Sequence, residues 1–235
     1  MKPWFVVLLI LYSVCICVRS TKEKGPATFA KSGRTNPYAM IAEGQSLLRE
    51  GDLVVRLNRD PLSGLIKNFN RTDKNYSHAG LVFYENGYPY IFHIINFDKN
   101  ETGGIRKDSL SSFCDPKKNL AFGIFRYSIT SAEIKKLKNI IYGWRDKGMQ
   151  FDSVFNLKSD DKMYCSEMIS KALAQATNKR IAIQSTKPTR VEAALFSAYS
   201  HLPFDYVSKI QVISIDNLYA NSYCQLIKKY NLCKN

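Results

Sequence analysis

The clearest pattern in the chain is Ser77–Ile95, SHAGLVFYENGYPYIFHII. Two runs rich in β-branched and aromatic residues flank Asn86 and Gly87, which both tolerate the positive φ of a two-residue hairpin turn. Centring the turn there fixes the register, because side chains alternate between the two faces of a strand. It sets His78 and His93 on one face, diagonal to each other and about 7 Å apart at the backbone. The stretch therefore predicts a hairpin whose two imidazoles lie within hydrogen-bonding reach.

A second pattern is Met163–Ala176, MYCSEMISKALAQA, in which a cysteine stands where a loop becomes a helix. Apolar residues recur after it at helical spacing and predict one buried face. Cys165 would then lie in the first turn, where free N–H groups and the positive end of the helix dipole favour a thiolate. The alternative interpretation is that Cys165 is a small buried hydrophobic residue, as free cysteines usually are.

Together these patterns predict a site for nucleophilic catalysis. Such a site needs a thiolate, a base that takes and returns its proton, and a group that orients the base. Cys165, His78 and His93 can fill these roles in that order. Two histidines and a cysteine could also hold zinc, but no further ligand stands at a telling spacing, so we predict neither a metal nor a cofactor. His201, the one other histidine, is expected at the surface or at a helix end.

The remaining elements predict an α+β domain with an antiparallel sheet packed against helices. Strands are expected at 53–57, 120–128 and 209–215, and helices at 38–52, 61–69, 130–146 and 189–199. The last two helices begin with capping boxes, Thr130 to Glu133 and Thr189 to Glu192. Residues 217–232 are expected to form a helix or a tail.

The N-terminus resembles an export signal. Lys2 precedes an apolar run from Trp4 to Val18, which is short for a membrane span. We predict a signal peptide over 1–20, a flexible leader over 21–40, and one domain over 41–235 with a C-terminal extension after about 185. The protein is therefore expected outside the cytoplasm, in the periplasm or extracellular space, with an uncleaved signal as a membrane anchor the alternative.

The formal charge of +14 favours anionic partners such as cell-wall polymers or lipid headgroups. The basic residues are scattered and no RNA-binding module or zinc-finger spacing is present, so no nucleic-acid partner is expected. In an oxidising compartment Cys224 and Cys233 could form a disulfide, which would leave Cys114 and Cys165 unpaired.

Several stretches resemble one family, the permuted NlpC/P60 (papain-like) cysteine peptidase superfamily. The stretches are GDLVVRL, YSHAGLVFYENGYPYIFHI, GIRKDSLSSF and FDSVFNLKSDDKMYCSEMISKAL. They are most similar to its YiiX/YebB-like branch, which is related to lecithin retinol acyltransferase-like proteins. In this family the histidine strand precedes the cysteine helix, as it does here.

The resemblance implies a circularly permuted papain-like fold, with Cys165 as nucleophile and His78 as general base. Many YiiX-like members carry a glutamate where this chain has His93, whereas the acyltransferase-like relatives use a second histidine. Tyr164 is expected to line the pocket or to donate to the oxyanion. The function expected is an exported cysteine hydrolase (a thiol peptidase or amidase) that cleaves an amide, first of all in a cell-wall peptide. The alternatives are a lipid-directed acyl hydrolase or acyltransferase, and a non-catalytic module that binds cell wall or lipid.

Overall fold

The predicted hairpin lies in the middle of the sheet. In the computed structural model, which describes residues 36–96 and 103–233, strands β2 (His78–Glu85) and β3 (Tyr88–Ile95) pair antiparallel, with Glu85 opposite Tyr88. Between them Asn86 and Gly87 have φ values of 51° and 77°. The predicted turn and register are confirmed.

Eight strands of the described residues form one curled, mostly antiparallel sheet in the order β7-β6-β4-β3-β2-β1-β5-β8. Only the short β6–β7 pair at one end is parallel among them. The other strands are β1 (Leu53–Asn58), β4 (Gly104–Asp108), β5 (Asn119–Tyr127), β6 (Gln150–Phe151), β7 (Lys162–Met163) and β8 (Cys224–Asn231).

Helices cover both faces of this sheet and form a third, smaller layer. The helices are α1 (Pro37–Leu47), α2 (Pro61–Ile66), α3 (Leu110–Phe113), α4 (Ser131–Asp146), α5 (Cys165–Ala176), α6 (Arg190–Ser200) and α7 (Phe204–Val207). One core cluster joins α4 and α5 to one sheet face, and a second joins α1 and α3 to the other. A third, separate cluster joins α2, α6 and α7. The α+β prediction with a cysteine helix on an antiparallel sheet is confirmed.

Two predicted elements are wrong. Residues 209–215 form no strand, and only an isolated bridge joins Val212 to Thr186. Their alternating apolar side chains instead reach two different clusters, Val212 the third and Ile213 the first. The predicted C-terminal helix or tail is the strand β8, which pairs with β5. Whether such a segment forms a strand depends on its pairing with a neighbouring strand, here β5, more than on its own sequence. Its lysines are typical of strands at the exposed edge of a sheet.

The strand at the C-terminus also excludes the disulfide that Cys224 and Cys233 could have formed. Cys224 begins β8 and Cys233 lies beyond its end, so the extended chain holds them more than about 20 Å apart. A disulfide needs Cα atoms within about 7 Å. Both cysteines are free thiols, as are Cys114 and Cys165.

The described residues belong to one compact unit, Arg34–Asn235. Helix α1 starts at Pro37, where its ring occupies the first turn and Asn36 accepts from the Tyr38 N–H, so residues 37–40 of the range predicted as a leader are helical. The predicted signal peptide over 1–20 lies outside the described residues. Within them, the helices are all too short or too polar to traverse a bilayer.

Candidate active site

Cys165 is the first residue of α5 and only 8% of its surface is exposed. Burial raises the pKa of its thiol, although the backbone N–H groups of Ala79 and Ser166 and the Arg56 guanidinium act in the opposite direction. The expected preference for a thiolate at the helix start is therefore outweighed by desolvation. At rest the group is a thiol, and a base has to remove its proton before it can attack.

The two histidines of the hairpin form the predicted hydrogen bond. His78 Nε2 and His93 Nδ1 are 2.9 Å apart. Behind them, His93 Nε2 is 3.0 Å from Asp108 Oδ2, and Arg106 Nη2 is 2.6 Å from the other carboxylate oxygen. The four side chains form one linear hydrogen-bonded chain from β2 through β3 to β4.

The ionisation of Asp108 fixes the direction of every hydrogen bond in this chain. Burial alone would raise the pKa of Asp108, but the bonds from His93 and Arg106 lower it to about 2. Its carboxylate can only accept, so His93 Nε2 carries a proton and its Nδ1 accepts from His78 Nε2. His78 Nδ1 is left unprotonated, which makes it the basic atom of the site.

Both imidazoles are neutral at physiological pH. Burial lowers the pKa of His78 well below its usual value, and the charge of Arg56 adds to this. Burial also lowers the pKa of His93 to about 4, although Asp108 opposes the shift. A neutral His78 that lines the same cavity as a neutral thiol is a base that can accept the thiol proton during attack.

Gly80 allows the histidine pair to form. A Cβ atom at this position would lie 3.1 Å from His93 Cβ and 2.5 Å from a methyl group of Ile91. The first of these contacts is tight and the second is a collision. The glycine of the SHAG sequence is therefore explained by the close approach of β3 to β2.

The site lies across one end of β2. His78 and His93 pack against the ring of Phe113 in α3, at 5.7 and 4.9 Å between centroids. Cys165 belongs to the core cluster on the opposite sheet face, next to Ala79. His78 and Cys165 nonetheless line the same cavity, since the strand ends there.

This cavity has a volume of about 430 Å³, a size typical of small-molecule sites. Its wall beyond the two reactive residues is mainly apolar and comes from α2, α6 and the segments around 155 and 213. Representative lining side chains are Leu62, Ile66, Phe69, Phe155, Phe196 and Ile213.

The residues on either side of Cys165 hold one wall of the cavity in place. The Tyr164 hydroxyl accepts from the Ile213 backbone N–H at 2.7 Å, and the Ser166 hydroxyl donates to the Ile213 carbonyl at 2.6 Å. Tyr164 also packs against Phe155, with 4.7 Å between ring centroids. Tyr164 thus lines the pocket, and its hydroxyl is engaged with the backbone of residue 213.

Arg56 is a site residue that the sequence analysis missed. It lies opposite His78 in the β1–β2 register, lines the cavity and stacks on the Phe113 ring at 4.3 Å. Its Nη1 donates to the Phe113 carbonyl, and its buried Nε has no partner among the described residues. It also forms no ion pair with their carboxylates, so its charge acts directly on Cys165 and both histidines.

Replacing Arg56 with glutamine should slow alkylation of Cys165 by iodoacetamide at pH 7 about tenfold. The reason is that a nearby positive charge that favours the thiolate is lost, while glutamine still offers a donor to the Phe113 carbonyl. The matched control is Arg59→Gln, an exposed arginine three residues along the chain. Equal rates for Arg56→Gln and the unaltered protein would contradict the electrostatic role of Arg56.

Asp108 was also missed, although it stands in the GIRKDSLSSF stretch. His93 lies opposite Arg106, so Asp108 is two residues from the direct partner of His93 and therefore diagonal to it. His78 and His93 are related by the same kind of diagonal. Two other acidic residues that follow β3 in the chain, Asp98 and Glu101, lie outside the described residues. His201 is exposed and ends α6 in a left-handed conformation with φ of 58°, in agreement with its prediction.

No group of three or more His, Cys, Asp or Glu side chains suited to a metal ion occurs in residues 36–96 and 103–233. The two site histidines are engaged with each other and with Asp108. The chemistry that Cys165 and the two histidines can perform is proton transfer and nucleophilic attack by a thiol.

The comparison with protein families agrees with this geometry. Residues 47–215 match the family described as permuted papain-like amidase enzymes, YaeF/YiiX, C92 family. The chain belongs to this family. The matched range contains the hairpin, the cysteine helix, Asp108 and Arg56, and it extends through α6 and α7, which the sequence analysis had assigned to an extension.

A solved structure similar to this family member is described as the metalloprotein YiiX from Escherichia coli O157:H7. The two are 19% identical with a TM-score of 0.59, and the match covers 77% of this chain and 97% of that one. At this identity the similarity establishes the fold. A search of curated proteins found no match.

Proposed function

We propose that this amidase-family protein is an exported cysteine hydrolase with Cys165 as nucleophile, His78 as general base and His93 as the residue that orients it. The observation that carries the proposal is the hydrogen-bonded chain from His78 through His93 to Asp108, which ends at the cavity that Cys165 lines. It supplies a base with a fixed tautomer in the cavity that the buried thiol also lines. We add Asp108 to the predicted triad. It accepts a hydrogen bond from His93 and orients that ring, as the carboxylate of a Cys-His-Asp triad orients the general base.

The reaction follows from these positions. His78 Nδ1 takes the thiol proton while Sγ bonds to the amide carbonyl carbon, and the oxyanion that forms is stabilised by the backbone N–H of Cys165 at the start of α5. The His78 imidazolium returns its proton to the leaving nitrogen as the C–N bond breaks. Water, deprotonated by His78, then hydrolyses the thioester, which releases the acid and restores the thiol.

The cavity favours a substrate whose acyl group, the part that is transferred to Cys165, is apolar. The greater part of its wall is apolar and suits a hydrophobic chain, while its partners for polar groups are Arg56, Asp60 and several serine and asparagine side chains. We therefore infer an amide or ester with a hydrophobic acyl chain. A second candidate is a cell-wall peptide, which the net charge of +14 favours because cell-wall polymers are anionic.

Incubation with both substrate classes should separate the two candidates. Purified protein would be offered N-acyl amino acids and phospholipids in one arm and muropeptides in the other, with products read by mass spectrometry. We expect free fatty acid from the first arm and none from Cys165→Ala. Cleaved muropeptides alone would select the second candidate. No product in either arm, together with unreactive Cys165, would support a binding module.

A further inference from the structure

Helix α6 is apolar on its outer side as well as on its inner side. Ala193 and Phe196 are buried in the third cluster. Val191, Leu195 and Tyr199, spaced four residues apart, are 69%, 50% and 47% exposed. A helix on the surface of a protein normally presents polar residues to water, so this outer face lacks the cover that its composition requires.

The outer face of α6 belongs to a larger apolar surface. Seven of the eleven exposed large hydrophobic residues in the described part of the chain lie on α2, α6, α7 or the loop before Phe155. They are Leu62, Val154, Val191, Leu195, Tyr199, Phe204 and Tyr206. The concentration on these few elements distinguishes the surface from scattered exposed side chains.

Contacts connect this surface to the active-site cavity. Leu62 and Tyr199 line the cavity and are also exposed, so they form part of its rim. The Tyr206 hydroxyl donates to the Val154 carbonyl at 3.0 Å, which joins α7 to the loop that contributes Phe155 to the wall. The apolar surface therefore continues into the apolar cavity beside Cys165.

We propose that this surface docks the protein onto a lipid surface that carries anionic headgroups. A second copy or a protein partner seated on the same face would cover the rim of the cavity, whereas a lipid surface would supply acyl chains to it. This argument rests on the proposed function. The apolar face would enter the acyl region, as exposed apolar faces of interfacial helices do.

Charge supports an anionic lipid surface. The whole chain carries a formal charge of +14, and three exposed cations lie at the ends of α6 and α7: Lys187, Arg190 and Lys209. Of the two acidic residues between them, Glu192 is paired with Arg71 at 2.8 Å. Basic residues at the edge of an apolar face attract anionic headgroups.

The test is binding of the full chain to sedimented vesicles of phosphatidylcholine and phosphatidylglycerol in a 3:1 ratio. We expect Val191→Gln/Leu195→Gln to reduce the partition coefficient at least tenfold, because two apolar side chains no longer leave water. Glutamine is a good helix former, so α6 is retained. Tyr38→Gln/Leu226→Gln alters two apolar side chains that are also at least half exposed but lie on α1 and β8, and this variant should bind as the unaltered protein does.

All these proteins share residues 1–35, so the difference between them reports α6 alone. Equal vesicle binding of the unaltered protein and the α6 variant, or absence of binding by both, would overturn the proposal. So would a dimer in sedimentation velocity that the α6 variant loses, since the face would then join two copies. Val191 and Leu195 do not line the cavity, so alkylation of Cys165 in solution should be the same in the α6 variant, and a failure of the proposed function would be seen separately.

Discussion

Replacing His78 with alanine should slow alkylation of Cys165 at pH 7 by about two to three orders of magnitude. Burial holds the thiol in its protonated form, and His78 is the neutral base in the same cavity. Without it, water must take the proton. The measurement is the rate of labelling by iodoacetamide, with the labelled cysteine identified by peptide mass spectrometry.

The pH dependence of labelling tests the same assignment. Because burial lowers the pKa of His78 below its usual 6.5, the base remains unprotonated as pH falls through neutrality. The labelling rate of the unaltered protein should therefore decline only below about pH 6.5. In His78→Ala the rate should instead fall with pH throughout the neutral range, because only the small thiolate fraction of Cys165 then reacts. A profile with its acid limb at or above neutral pH would contradict a neutral His78.

Two controls belong to this experiment. His201→Ala removes an exposed histidine at the end of α6 and should leave the rate unchanged. Cys114 is buried in the second cluster, where desolvation raises the pKa of its thiol, so it should be labelled more slowly than Cys165. Equal labelling at both cysteines with no dependence on His78 would contradict the catalytic assignment.

The histidine pair could be predicted from the sequence because every step in its geometry is local. Asn86 and Gly87 fix the turn, the turn fixes the register, and alternation fixes the face. The position of Cys165 at the start of a helix could likewise be predicted from nearby residues, since the apolar residues that define α5 lie close together in the chain. Each of these inferences spans fewer than about twenty residues.

The rest of the site depends on pairings between distant parts of the chain. Asp108 reaches His93 only because β4 pairs with β3, and no tight turn between them encodes that register. Arg56 meets His78 through the β1–β2 pairing across a helix and a loop. The state of the Cys165 thiol was misjudged for a related reason, because the helix end is visible in sequence whereas burial depends on the assembled core.

Replacing Asp108 with asparagine should lower kcat/KM by about three orders of magnitude, although the side chain keeps its shape. Arg106 donates to one oxygen of Asp108, so in the variant it would hold the amide oxygen and turn the NH₂ group toward His93. His93 Nε2 must then accept, which moves its proton to Nδ1. That proton faces His78 Nε2, which must in turn accept and shift its own proton to Nδ1. The basic atom of the site would be lost without any residue moving.

This mechanism makes Asp108 a positioning residue, and its readout must detect the tautomers. In ¹⁵N NMR spectra His78 should change from the Nε2–H to the Nδ1–H form in Asp108→Asn, whereas a merely structural defect would broaden or lose the signals. Asp108→Glu, which still only accepts, should retain the Nε2–H form and recover part of the activity. Asp160→Asn removes a carboxylate that pairs with Lys171 on α5, outside the hydrogen-bonded chain of the site. It should change neither the tautomer of His78 nor kcat/KM. An Asp108→Asn variant with unchanged tautomers, or with kcat/KM within threefold of the unaltered protein, would mean that His93 orients His78 without the carboxylate.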